Sequence, residues 1–383
     1  MKRSKFKAIA LIGLSLSISL SSCKDDDDET PTPVEAQETL ATPASYDFTR
    51  NNMTTVSYGG QITRLNQLAA MKAELGKGDK GNVVSAQALK DMFSNVGGHG
   101  NGRFVDTTTK QLKNKTFNLD QVYFEDLFDS AAVASIAGSN GTMAASGVAG
   151  IANRSGSKTI LVDANGREYT QLVEKGLMGA TFYNQIVNNY LTTGKIGDGV
   201  NNTDLETGKN FTKMEHHMDE AFGYVGAPVD FKSNYSGTGD VRYWANYSKT
   251  ADDNIQMNDR LMNAFKRARA GIAEKKYTIR DQEAAKINSE FEILIAATAI
   301  HYANEAKAAT VDGDRLHVLS ECYAFTRAFR YSNVNTRKLT QTEVDTLLAY
   351  IGTNFWNTTT SNLDFLINKL ASTYGLESVK ANL

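Results

Sequence analysis

Proline, cysteine, tryptophan and histidine are all scarce in these 383 residues, numbering four, two, two and five. Three of the prolines, Pro31, Pro33 and Pro43, fall near the N-terminus, so only Pro228 interrupts the body of the chain. A proline costs about 3 kcal/mol inside a helix, so its scarcity leaves room for long helices. Cys322 and Cys23 are the only thiols, and if Cys23 is otherwise used no intramolecular disulfide can form. No surplus of basic residues exists to hold nucleic acid, since 41 Lys and Arg face 43 Asp and Glu. Phosphate-cradling P-loops, dinucleotide fingerprints, the G-x-S-x-G elbow and the H-E-x-x-H zinc-protease pattern are absent. Heptads and short repeats are absent too.

The N-terminus has the layout of a secretory signal. Lys2, Arg3, Lys5 and Lys7 precede an apolar run from Ala8 to Leu20, which is too short and serine-rich for a spanning helix. The run ends Leu20-Ser21-Ser22-Cys23, which resembles a bacterial lipobox. Residues 1–22 are therefore expected to be removed and Cys23 to be acylated, anchoring the chain to a lipid bilayer. Loss of four cations makes the formal charge of −2 more negative still. After Cys23 come Lys24, four aspartates and Glu29, a self-repelling run. Residues 23–45 are expected to form a disordered acidic tether. A cysteine, a lysine and then acids also resembles the surface-export signal of Bacteroidetes lipoproteins, so the expected location is the outer membrane, surface-exposed or otherwise periplasmic.

Residues 46–383 suffice for one large helical domain or two packed bundles. Ile62, Leu65, Leu68, Met71 and Leu75 recur at helical spacing. Ser85 can cap a second helix, and Tyr169 to Leu191 forms a third, in which Gly176 and Gly179 would let another backbone approach. Helices are expected over Ala251–Ala273, 278–309, Arg315–Tyr331, 344–350 and 362–374. Phe291 to Ile300 is apolar all round and predicts a central buried helix. Thr340 and Glu343 suit a capping box, and Gly375 suits a helix stop. Lys158–Val162 is the one strand candidate. Ala132–Ser157, rich in small residues, reads as a long loop or a small-residue helix with an irregular exit. Cys322, among Leu319, Tyr323 and Phe325, reads as a buried small hydrophobe. The fold class is all-α, with up-and-down helices and long irregular loops.

Two of the five histidines sit together in Glu215-His216-His217-Met218-Asp219-Glu220. On a helix from about residue 211 to 224, Phe211, Met214, Met218, Ala221, Phe222 and Val225 form the apolar stripe, flanked by His217, Glu220 and Tyr224. An imidazole and a carboxylate three residues apart on a half-buried flank suit zinc or iron. They equally suit a hydrogen-bonded pair at a helix interface. His317 with Glu321 and His301 with Glu305 have i, i+4 spacing; either pair could complete the site or be a helical polar pair. His99 lies in a glycine-rich loop. Asp198, Asn201, Asn202 and Asp204 hint at calcium but miss the EF-hand spacing. Trp244 and Trp356 could stack on a glycan or belong to the core.

Glu215 to Tyr224 resembles the central motif of a Bacteroidetes lipoprotein family of unknown function, DUF4856. Tyr58-Gly59-Gly60-Gln61-Ile62-Thr63-Arg64-Leu65, Lys175 to Ala180, and His317-Val318-Leu319-Ser320-Glu321 are similar to that family as well. The family in turn resembles the imelysin-like proteins, a peptidase-like group of envelope proteins with helical bundles, a G-x-H-x-x-E motif and links to iron uptake. His217 and Glu220 match that His and Glu, while Glu215 replaces the glycine. The resemblance implies an imelysin-like helical fold. It also implies a metal site for iron or zinc at His217 and Glu220, joined by His216, Asp219, His317 or Glu321. The expected function is metal binding linked to metal uptake. The alternatives are an envelope metallopeptidase, or a surface lipoprotein that binds a glycan or protein partner.

Overall fold

A computed structural model describes residues 39–231 and 241–383. The expected cleavage site, Cys23 and the expected tether up to residue 38 lie outside the described residues. The expected tether is already docked before Ser45: Arg267 Nη1 donates to the Leu40 carbonyl (2.6 Å) and Lys276 Nζ to the Thr39 carbonyl (2.8 Å).

Helices dominate because apolar residues recur every three to four positions and no proline intervenes. They are α1 (Gly59–Asp79), α2 (Ala86–Phe93), α3 (Gln121–Ser139), α4 (Tyr169–Leu177), α5 (Thr193–Ile196) and α6 (Lys213–Gly223). Then follow α7 (Trp244–Ile255), α8 (Met257–Ala273), α9 (Tyr277–Ala308), α10 (Asp312–Ala328), α11 (Gln341–Ile351) and α12 (Thr360–Tyr374). Two small antiparallel hairpins complete the described residues: β1 (Thr49–Arg50) with β2 (Met53–Thr54), and β3 (Gly150–Asn153) with β4 (Thr159–Val162). The fold is thus all-α in class. Past Leu177, α4 continues through two π-helical stretches, Met178–Tyr183 and Ile186–Tyr190.

The central helix is α9, with every residue from Phe291 to Ile300 buried. Helices α8, α10 and α12 pack most extensively against it. Each fully buried Ile, Leu or Phe there stabilises by about 1.5–3 kcal/mol. Short turns between α8, α9 and α10 make these neighbours antiparallel. Helix ends are set locally. Ser85 Oγ accepts from Ala88 N (3.2 Å), Thr340 and Glu343 form a reciprocal capping box, and Gly375 ends α12 at φ +71°. Residues 39–231 and 241–383 pack as one compact unit.

Two expectations need correcting. Helical structure begins at Trp244 rather than Ala251, and it breaks at Gln256, where φ is +53°. Asp252 causes the restart: its Oδ1 accepts from Asn258 N (2.8 Å) at the head of α8. Ala132–Ser157 takes the second of its two readings, a small-residue helix with an irregular exit: α3 runs to Ser139 and a turn follows, but the exit then forms strand β3, which was not expected. The small residues permit close packing: a Cβ on Gly150 would lie 2.4 Å from the Thr142 carbonyl oxygen.

Candidate functional site

Helix α6 begins with a capping box. Thr212 Oγ1 accepts from Glu215 N (3.2 Å), and Glu215 Oε2 accepts from Thr212 N (2.8 Å). Its apolar stripe, Met214, Met218, Ala221 and Phe222, is fully buried. Phe222 stacks on Tyr46 with centroids 3.9 Å apart. Gly223 lets the head of α1 close in, since a Cβ there would sit 2.6 Å from Tyr58 Cβ.

The acids on the opposite flank bind Arg269, which is wholly buried. Its Nε donates to Asp219 Oδ1 (2.9 Å), its Nη1 to Glu215 Oε1 (3.0 Å) and its Nη2 to Thr55 Oγ1 (2.9 Å). Asp219 also accepts from the Tyr46 hydroxyl and from Ser57 N, each at 3.0 Å. Burial pushes the Asp219 carboxyl up to about 6, against the pull of Arg269. Removing one partner from such a buried pair costs about 3–5 kcal/mol. Asp219 is therefore a clamp between α6, α8 and the segment before α1. His216 is also engaged: its Nδ1 lies 2.9 Å from the Ser57 carbonyl, and its ring stacks on Phe211.

His217 and Glu220 face a different set of groups. His217 Nδ1–H donates to the Lys195 carbonyl (2.6 Å), which leaves the lone pair on Nε2. Burial lowers its pKa, so the ring is neutral at pH 7. Glu220 Oε1 accepts from Gln61 Nε2 and from the Tyr190 hydroxyl, both at 3.1 Å. The buried Tyr224 hydroxyl faces Arg64. Lys115 lies 5.8 Å over the Tyr190 ring. Its pKa is lowered by burial first, then by Arg64, Lys195 and Lys110, against which Glu220 supplies the opposing charge. Lys110 and Arg64 come together over Gly60, where a Cβ would lie 3.3 Å from Lys110 Cε and 3.6 Å from Arg64 Nη1. Two of the stretches singled out in the sequence, Tyr58–Leu65 and Glu215–Tyr224, therefore meet in one polar, electropositive patch. Among the described residues, no three His, Cys, Asp or Glu side chains are arranged to hold a metal ion.

The profile of the domain of unknown function DUF4856 matches residues 43–377. The chain belongs to the DUF4856 family. No curated protein and no solved structure matches it.

The other two DUF4856-like stretches, Lys175–Ala180 and His317–Glu321, meet at the far end of α4. His317 Nδ1 lies 2.6 Å from Glu168 Oε2, and its Nε2 lies 3.5 Å from Glu321 Oε2. Glu321 continues to Lys175 (3.5 Å), Lys175 to Glu174 (2.5 Å) and Glu174 to Lys72 (2.8 Å), an alternating chain of charges across α10, α4 and α1. Glu168 touches His317 while Tyr190 touches Glu220, and at about 1.5 Å per residue the helix between them spans about 30 Å. His317 and Glu321 thus do not join His217 and Glu220.

The remaining candidates are engaged elsewhere. His301 pairs with Glu305 at 3.6 Å, and His99 Nδ1 accepts from Gly102 N within its loop. Asn201 Oδ1 accepts from Thr203 N and Asp204 N, and Asp198 pairs with Arg280. Trp244 is fully buried, and Trp356 is half-buried against Gly166. Cys322 is buried as expected, with its thiol pushed up to about 12. Sequence reading missed Arg269, although a charge on the stripe of Leu261, Met262, Phe265 and Ile272 was its signal. It also missed Lys115 and Lys195, which lie in loop or short-helix sequence with no periodicity to point at α6.

Proposed function

We propose that this chain is a binding lipoprotein of the cell envelope, anchored in the outer membrane through acylated Cys23 and holding an anionic ligand on the flank of α6. The carrying observation is geometric: Lys110 and Arg64 close over Gly60, beside the Gln61 that donates to Glu220, and Lys115 lies over the ring of Tyr190, whose hydroxyl donates to the same carboxylate. In a chain of negative net charge, a local concentration of cations attracts a carboxylate or phosphate group. Tyr190 and the neutral His217 supply polar contacts beside it. Turnover has little to work with, because the Glu220 carboxylate that could act as a base is already held by Gln61 and Tyr190.

A second reading, iron or zinc capture linked to metal uptake, is favoured by the His217 tautomer. A histidine whose Nδ1–H is fixed by a backbone carbonyl presents Nε2 as a ligand. Two protein ligands amid several cations hold a bare dication poorly, so the anion reading comes first. The test is titration of the purified full chain with citrate, beside elemental analysis after exposure to Fe and Zn. Citrate binding weakened about tenfold in Lys115→Ala/Lys195→Ala supports the anion reading. Near-stoichiometric metal that is lost in His217→Ala/Glu220→Ala establishes the metal reading instead. Neither result would leave α6 a purely structural helix.

A further inference from the structure

Three asparagine–glycine steps occur in the chain: Asn101-Gly102, Asn140-Gly141 and Asn165-Gly166. In such a step the glycine amide nitrogen can attack the carboxamide carbon of its own asparagine, because the glycine has no Cβ to hinder the approach. In the folded chain, the group that the glycine N–H faces decides which step reacts. Gly141 N donates to the Gly138 carbonyl and Gly166 N to the Asp163 carbonyl, each at 3.0 Å. A carbonyl oxygen is too weak a base to take an amide proton. Gly102 N instead donates to His99 Nδ1 at 2.7 Å. An imidazole nitrogen that accepts carries a lone pair, and this one lies within the reach a general base needs.

The surrounding loop holds that contact in place. Asn95, Gly97, Gly98, Gly100, Asn101 and Gly102 all take positive φ, between +52° and +83°. Asn95 braces the turn: its Nδ2 donates to the Thr108 and Lys110 carbonyls (2.7 and 2.6 Å), and its Oδ1 accepts from Gly100 N (2.9 Å). The His99 carbonyl accepts from Arg103 N and Phe104 N, both at 3.0 Å. The Asn101 carboxamide is oriented as well, with Nδ2 donating to Oδ2 of the buried Asp91 at 2.8 Å. Asn101 and Gly102 are themselves exposed, and a Cβ on Gly102 would meet nothing within 4 Å. The glycine therefore has room to shift toward Asn101 Cγ, and water has access. Gly166, by contrast, is packed against Leu316 and Trp356.

We propose that Asn101-Gly102 is a self-modification site, at which His99 promotes closure of a succinimide that water opens to aspartate and isoaspartate. His99 Nδ1 takes the Gly102 amide proton as the Gly102 nitrogen bonds to Asn101 Cγ. The Cγ–Nδ2 bond breaks, and the departing nitrogen takes a proton back and leaves as ammonia. Water then adds to either carbonyl of the ring. Opening leaves a carboxylate at position 101 beside that of Asp91, and the two like charges repel. The isoaspartyl product also adds a carbon to the main chain just before Arg103 to Asp106, which line a cleft of about 290 Å³ against α1. The modification is a slow, one-way change in the wall of that cleft.

The experiment holds the purified full chain in warm neutral buffer. Its peptides are followed by mass spectrometry, and isoaspartate by methyl transfer from an isoaspartate methyltransferase. Asn101 is expected to convert at least about tenfold faster than Asn140 and Asn165. His99→Asn keeps an acceptor for the Gly102 N–H but not a base, and should bring Asn101 to within about threefold of the other two. Unfolding the wild type in urea should remove the same advantage. The wild-type rate should level off with rising pH once the imidazole is neutral, whereas the His99→Asn rate should climb with hydroxide throughout. The proposal is overturned if Asn101 converts no faster than Asn140 in the folded chain, or if its rate survives His99→Asn. It is also overturned if the advantage persists in urea, which would make it a property of the local sequence alone.

Discussion

Asp79 closes α1 with both carboxylate oxygens engaged, Oδ1 by Leu161 N and Oδ2 by Thr170 Oγ1, each at 2.8 Å. Burial, with Glu168 adding to it, still pushes its carboxyl up to about 6. The folded chain therefore binds this proton more tightly than the unfolded chain, whose aspartates titrate near about 3.9. The resulting stability is present below about pH 4 and is lost as the pH rises through about 6. Melting curves of the wild type and Asp79→Asn between pH 7.5 and 5 test this. The wild type should gain more on acidification, and an identical pH response in both would remove Asp79 as the source. The same scale explains how α6 can be misread. Asp219 and His216 were legible as polar residues beside His217, but Arg269 and the Ser57 carbonyl, which occupy them, lie far along the chain and left no mark on the local pattern.

The clearest element is the helix from Tyr169 to Tyr190. Its apolar spacing and its two glycines were readable; the backbone approach they predict is present at Gly179, while at Gly176 the ring of Phe124 fills the space. A Cβ on Gly176 would meet Phe124 Cε1 at 2.9 Å, and one on Gly179 would meet Ala328 Cβ at 2.9 Å. What was not readable is the widening into π-helix after Leu177, which is set by packing against α10 and α6 rather than by propensity. Gly179→Ala should cost about 1–3 kcal/mol through overpacking, despite alanine's better helix propensity. Urea unfolding measures it; a neutral or stabilising effect would mean that α10 yields at Ala328. Strand β3 was missed for the opposite reason. Gly150-Ile151-Ala152-Asn153 has little strand propensity of its own and forms because β4 and α3 cover it.

At the scale of the whole molecule, α4 and its π-helical continuation hold two polar centres about 30 Å apart. Each centre joins two of the DUF4856-like stretches. The α6 flank is tied to the head of α1, and the charged chain at His317 to the tail of α1, so a disturbance of α1 should reach both. The proposed lipid anchor belongs to this scale too. Cys23→Ser is expected to abolish incorporation of labelled palmitate and to release the protein from the membrane fraction. Labelling that persists in the variant would refute acylation at Cys23.

Sequence by itself determined the all-α class, most helix bodies, the caps at Ser85 and Thr340, the stop at Gly375 and the burial of Cys322. These follow from periodicity and from hydrogen bonds only a few residues apart, so they are local. Tertiary structure decided which marked residues meet. It gave Asp219 to Arg269, brought Gln61 and Tyr190 to Glu220, and kept His317 a helix length from His217. Those outcomes depend on how helices pack across long sequence separations, and on where a buried charge finds its partner. Neither is encoded in the spacing along one helix.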